Sequence, residues 1–291
     1  MDNLESRIRA LEASNRRQRY SITALAAIIV GGALIAATRS AGDATFDSVT
    51  CKGWAVVDNS GKTRIDAYTL PNGSANIRWF DTNGKPRLAA STQASGSAGM
   101  TWYDKDFKTR MSADTMPDGS AAMRWIDNDN KIRISALTKA DGAASITWFD
   151  KDEKTRIGAK TTADGSAGMT WFDKEGKMRM SADVFASGNA GIAWCDKDER
   201  VRITANTLVN DNAGITWYDK DKKTRMIAKT LSDGAAGMTW CDKDEKQRIS
   251  ADTPANGYAG MTWLDKDGKL RIGAGTAADG SVFLPTTDLK P

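Results

Sequence analysis

One line of 23 residues repeats without a gap through most of this chain. Ten copies run from Val56 to Pro285. Trp opens nine of them, at Trp79, Trp102, Trp125, Trp148, Trp171, Trp194, Trp217, Trp240 and Trp263, and Val56 opens the first. A fixed period in this range marks a repeat architecture, in which each unit buries its apolar face on its neighbours.

Positions are numbered 1 to 23 from the Trp. Position 3 is Asp and position 9 is Arg in all ten copies, including Asp104 with Arg110, Asp150 with Arg156, and Asp219 with Arg225. Position 12 is always Ala. Positions 10 and 22 are always Ile, Leu or Met, as at Met111, Ile157 and Ile249. Two turn signals divide the unit. One is D-K-D-x-K at positions 3 to 7, the other D-G or N-G at 17 and 18, where Gly accepts positive φ at no steric cost. Between them lie "KTRIGAKT" and "SAGMTWFD", too short for helices and carrying β-branched or aromatic residues.

Side chains alternate faces along a strand. A four-residue D-K-D-x-K loop pairs position 3 with 8 and position 1 with 10. A five-residue D-G loop pairs 14 with 20, 12 with 22, and 10 with the next Trp. Both put Trp, Met/Ile and Ala on one face, and an odd plus an even loop makes the odd period. The other face carries Ser, Gly and Thr, with an aromatic or aliphatic residue at position 2 opposite the Arg, where a cation–π contact is expected.

The expected fold is therefore all-β: tandem 23-residue β-hairpins forming an elongated meander or a β-solenoid. Twenty strands at ~4.8 Å each span about 95 Å. Open sheets of that size rarely persist without curling or packing. The apolar face is expected to meet identical faces of other chains, making a homo-oligomer. Three meanders around a three-fold axis, a trimer, would make a fibrous β-prism.

Chemistry fits the repeat less well than architecture does. The D-K-D runs lack the third acid and the distal Glu of a calcium loop, so no metal site is expected. Ten equal Asp–Arg pairs do not make the single convergent site that an enzyme needs. They read as turn caps and neutralised carboxylates. No catalytic residue and no cofactor is expected. A ladder of aromatics can stack on glycan. The Trp residues fall on the apolar face, so Phe80, Tyr103, Phe149, Phe172 and Tyr218 at position 2 are the candidates for contact with envelope glycan.

The chain has no His, which removes the commonest metal ligand and general base. Residues 1–40 carry six Arg against three acids, leaving 35 basic and 34 acidic side chains in the remaining 251 residues. Such a neutral region argues against nucleic-acid binding. Three Cys, at Cys51, Cys195 and Cys241, form no disulfide framework.

"SITALAAIIVGGALIAA", Ser21 to Ala37, carries no charge and is long enough to span a bilayer. Five Arg precede it and Arg39 follows. The positive-inside rule then keeps the N-terminus cytoplasmic and exports the repeats to periplasm or cell surface. The expected organisation is a cytoplasmic Arg-rich leader with a short helix (1–19), a transmembrane signal anchor (20–38), a linker (39–55), the repeats (56–285) and a tail (286–291). Leu4, Ile8 and Leu11 follow a 4–3 spacing, a short seam for self-association.

"VVDNSGKTRIDAYTLPNGSANI" (Val56–Ile77) and "LDKDGKLRIGAGTAADGSVFL" (Leu264–Leu284) best carry a wider pattern, D-x-x-G-K-x-R followed by D-G-x-x-G. Together with the leader and span, it resembles a group of bacterial single-span proteins built from such tandem β-hairpin repeats. The resemblance covers leader, span and all ten copies. It implies a membrane-tethered exported β-repeat and supplies no catalytic residues. The combined reading is a structural or adhesive rod of a bacterial envelope, a stalk or filament subunit. A glycan-binding repeat module is the alternative.

Overall fold

The computed structural model describes residues 6–17, 19 and 46–283. The chain divides into two units, Met1–Cys51 and Lys52–Pro291. In the first, residues 6–17 form the leader helix, with Ile8 and Leu11 exposed. No helix among the described residues is long and apolar enough to cross a membrane. The expected anchor at 20–38 and the tail at 286–291 lie outside the described residues.

The second unit is one open sheet of 21 strands, from β1 (Gly53–Val57) to β21 (Val282–Phe283). Nine copies open on a six-residue strand carrying the Trp, the first opens on the five-residue β1, and every copy has a seven-residue strand carrying the Arg. β9 (Ala144–Phe149), β10 (Thr155–Thr161) and β11 (Ala167–Phe172) are typical. Every strand pairs antiparallel with its neighbours in sequence and touches no others. The sheet is a meander. The solenoid alternative falls, because a coil would stack each strand on one a whole turn away.

The ladder follows the apolar pattern. Ile157 faces Trp148 on one side and Trp171 on the other, Ala159 faces Met169, and Thr161 faces Ala167. Trp, Met/Ile and Ala therefore share one face in unbroken rows. The expected loops of four and five residues are corrected. Both turns have three-residue loops with the same hydrogen bonds. Asp150 N–H donates to Lys154 O (2.9 Å) and Glu153 N–H to Asp150 O (3.1 Å). Likewise Thr162 N–H donates to Ser166 O (2.8 Å) and Gly165 N–H to Thr162 O (2.9 Å). In each, the last loop residue has positive φ, 61° at Glu153 and 90° at Gly165, the three-residue hairpin closed by a bulge.

Two loops of equal length would give an even repeat. The odd residue is a further bulge: Phe149 faces Thr155 while Trp148 faces Ile157, which leaves Arg156 unpaired. The same shift recurs at each Trp-to-Arg hairpin. Without it, a 23-residue copy would slip by one residue and turn its apolar set to the opposite face.

Among the described residues no side chain is fully buried. Ala122 and Cys195 are the buried hydrophobic residues among those described. The chain exposes 20325 Å², whereas a globular monomer of 31.4 kDa exposes about 12,000 Å². One layer of sheet has two surfaces and no interior.

Candidate interaction faces

The Asp at position 3 builds its own turn. Asp104 Oδ1 accepts from the backbone N–H of Asp106 (2.8 Å) and Lys108 (2.9 Å), while Oδ2 holds Arg110. Asp150 accepts from Asp152 and Lys154 N–H (2.9 and 3.0 Å) and faces Arg156 at 3.7 Å. Asp219 accepts from Asp221 and Lys223 N–H (2.8 and 3.0 Å) and pairs with Arg225 at 3.2 Å. All ten copies keep this ion pair.

These contacts hold the carboxyls below the ordinary Asp range. The Lys108 amide, then the Asp106 amide and Arg110, take Asp104 down to about 2. At Asp150 burial is the largest influence and pushes upward. The amides of Lys154 and Asp152 and the charge of Arg156 together outweigh it. The result is a row of carboxylates ionised at neutral pH, each committed to its own turn and its own arginine.

The same turns tie each copy to the next. Arg156 Nε donates to Phe172 O at 3.2 Å, and Lys154 Nζ to Lys174 O at 3.1 Å. In three copies a Glu at position 6 accepts from the preceding copy: Glu153 from Ile132 N–H (3.3 Å), Glu199 from Met178 N–H (3.0 Å) and Glu245 from Thr224 N–H (2.9 Å).

On the apolar face, Trp125 and Trp194 are 36% and 37% exposed, and the other seven repeat-opening Trp residues are half-buried. Met111, Ile157 and Ile249 are also half-buried, beside the Trp row. Height falls across this face, from the Trp and Ile/Met row to the Ala and Thr rows near the D-G turns. The low side forms two shallow troughs, lined by residues such as Ala98, Met100, Ala113 and Thr115 in one and Ala205, Ile215, Ala228 and Met238 in the other.

On the polar face, Phe80, Tyr103, Phe149, Phe172 and Tyr218 are half-buried, interrupted by Ile126, buried Cys195, Cys241 and Leu264. The cation–π contact expected from position 9 belongs instead to Arg78 at position 23. Its guanidinium lies 5.0 Å from the Tyr68 ring and 5.2 Å from the Phe80 ring, and it is also paired with Asp66.

A second order within the repeat escaped the reading of apolar rows. Position 13 runs Asp114, Leu137, Lys160, Asp183, Asn206, Lys229, Asp252. Acid, neutral and base recur every third copy. These side chains stand on the polar face beside position 21, which is Gly in six copies. A Cβ at Gly99, Gly168 or Gly237 would strike the carboxylate of Asp114, Asp183 or Asp252. The signal was present in the sequence as the thrice-repeated Ser-Ala-Asp at 112–114, 181–183 and 250–252.

No family model and no curated protein matches this chain. Among solved structures, it is similar to the SAS-4 (dCPAP) TCP domain of Drosophila melanogaster in complex with a proline-rich motif of Ana2 (dSTIL). That match has 10% identity over 64% of this chain and 88% of that one, with a TM-score of 0.26. The TcdB2-TccC3-Cdc42 crystal structure matches at 12% identity over 80% of this chain and 17% of that one, with a TM-score of 0.17.

Proposed function

We propose that this chain is a structural β-repeat rod of a bacterial envelope, a stalk or filament subunit. Its N-terminus is cytoplasmic, residues 20–38 anchor it in the membrane, and the repeats lie outside. It self-associates through the Trp/Met/Ala face. The observation that carries this reading is the unburied apolar face itself, running the length of a single-layer sheet in rows that never change side. Contiguous apolar patches larger than a few hundred Å² mark interaction sites. Another copy of the same face matches it in both pitch and apolar chemistry. A three-chain prism would cover all three such faces.

The test is light scattering on the full-length protein in detergent, together with its Trp emission. A homo-oligomer with blue-shifted emission is expected, and a trimer would match the prism. A monomer with water-exposed Trp emission would sink the reading. If that monomer's emission were quenched by envelope glycan, the repeated aromatics would serve as a binding surface instead.

A further inference from the structure

The polar face faces outward in any assembly closed by the apolar one, and it carries its own message. Position 13 stands on every second strand, on strands about 4.8 Å apart, separated by the mostly glycine-bearing strands, and five of its ten side chains are charged. Lys160 and Lys229 are exposed, and Asp114, Asp183 and Asp252 half-buried. Of these five, only Asp114 has an ion-pair partner among the described residues, Arg124 at 3.4 Å. The adjoining row is mostly Ser and Thr, small enough for another sheet to approach.

This charge order is complementary to itself when reversed. Consider a two-fold axis parallel to the strands, lying between the fifth and sixth copies. It brings each copy of one chain over its mirror-numbered copy in the second, so all ten copies overlap. Lys160 then meets Asp183 of the second molecule, and Asp114 meets Lys229. Leu137 meets Asn206, Asp252 meets Ser91, and Tyr68 meets Gly275. The symmetry doubles the two ion pairs to four, with no like charges opposed along position 13, while the position-9 arginines meet their counterparts each already neutralised by its own turn Asp. Stacking two chains parallel and in register would instead put all five charges on their own kind. A Lys reaching toward an Asp matches the ~10 Å at which sheets pack face to face.

We propose that the polar face is a self-recognition surface, by which two rods pair side by side and antiparallel, centred between the fifth and sixth copies. The pairing goes beyond the apolar-face assembly and does not require it. The N-termini emerge at opposite ends of the pair, so anchored rods reaching from two facing membranes would satisfy it.

Charge substitution and cross-linking of the full-length protein in detergent test the proposal. At low salt the wild type is expected to show at least twice the particle mass that it shows in 1 M NaCl, where the screening length falls to about 3 Å, because every outward polar face of an apolar-closed assembly can take a partner. K160D/K229D leaves only acids in the row, and its mass should stay at the high-salt value in all buffers. The fully inverted D114K/K160D/D183K/K229D/D252K is again self-complementary when reversed, and should recover the doubling. With the native cysteines replaced, a mixture of D114C and K229C proteins should cross-link to each other, and D114C alone should not. A salt-independent mass, a K160D/K229D protein that still doubles, or D114C cross-linked to itself would overturn the proposal. The apolar-face reading would survive each of these, since it concerns the mass that remains in high salt.

Discussion

Deleting single residues around Arg156 probes whether the bulge sets the register. Removing Arg156 closes the bulge: Phe149 still faces Thr155, and Trp148 still faces Ile157. What is lost is an ion pair to Asp150 and a bond to Phe172 O, and exposed ion pairs contribute little. Removing Gly158, two residues on, forces a different repair. The bulge must absorb the deletion, which sets Arg156 opposite Trp148 on the apolar face and turns Ile157 to the polar face. Fully burying an Ile stabilises by about 1.5–3 kcal/mol. Ile157 is half-buried, so its displacement costs about 1 kcal/mol. Placing a guanidinium among Trp and Met without its carboxylate adds about 1–3 kcal/mol. The two deletions, each removing one residue from one strand, should differ by roughly 2–4 kcal/mol. Amide hydrogen exchange across β9 to β11 measures this locally, which suits a repeat array that need not unfold as one unit. Equal loss of protection in the two variants, or a greater loss for the Arg156 deletion, would refute the bulge as the register device.

Three further outcomes follow from the turns and thiols. Lys222 holds a φ of 62° and Glu245 one of 63°, a conformation that costs a side-chain-bearing residue about 1–2 kcal/mol. Lys222→Gly should stabilise by about 0.5–1 kcal/mol in urea melts. Glu245→Gly, which also loses the bond from Thr224 N–H, should gain less, and the reverse order would contradict the inter-copy tie. The ten position-3 carboxyls all sit below their ordinary range. Their contribution is full above the unfolded Asp pKa of about 3.9 and is lost as pH falls through the folded values. Acid titration by circular dichroism should thus show stability falling below about pH 4, and less steeply in Asp104→Asn. A thiol reagent at neutral pH should label exposed Cys51 first. Burial raises the pKa of both Cys195 and Cys241, and equal rates by mass spectrometry would contradict the sheet's placement of position 2.

The rows were legible because every copy repeats the same alternation, and Trp, Met/Ile and Ala can share a face in only one register. Turn geometry was less legible. Loops of four and five residues, and two three-residue loops with one bulge, have the same total parity and put Trp148 opposite Ile157 alike. The hydrogen bonds of Asp150 and Thr162, and the pairing of Phe149 with Thr155, separate them. Arg78 took the cation–π contact because it lies on the polar face within reach of both rings, whereas the position-9 arginines are turned back to their turn Asp. The charge order at position 13 was missed because a 23-residue alignment averages over a pattern that needs three copies to complete.

The bulge at Arg156 has a consequence for inheritance. Because each copy returns its rows to the same face and level, a whole copy leaves the apolar rows on either side of it undisturbed. Here the gain or loss of 69 bases leaves turns, apolar rows and ladders intact and changes reach by two strands or about 10 Å, while the charge order of position 13 is restored only when three copies are gained or lost together. The rod can be lengthened by copying alone, in discrete steps, with no new sequence to be invented.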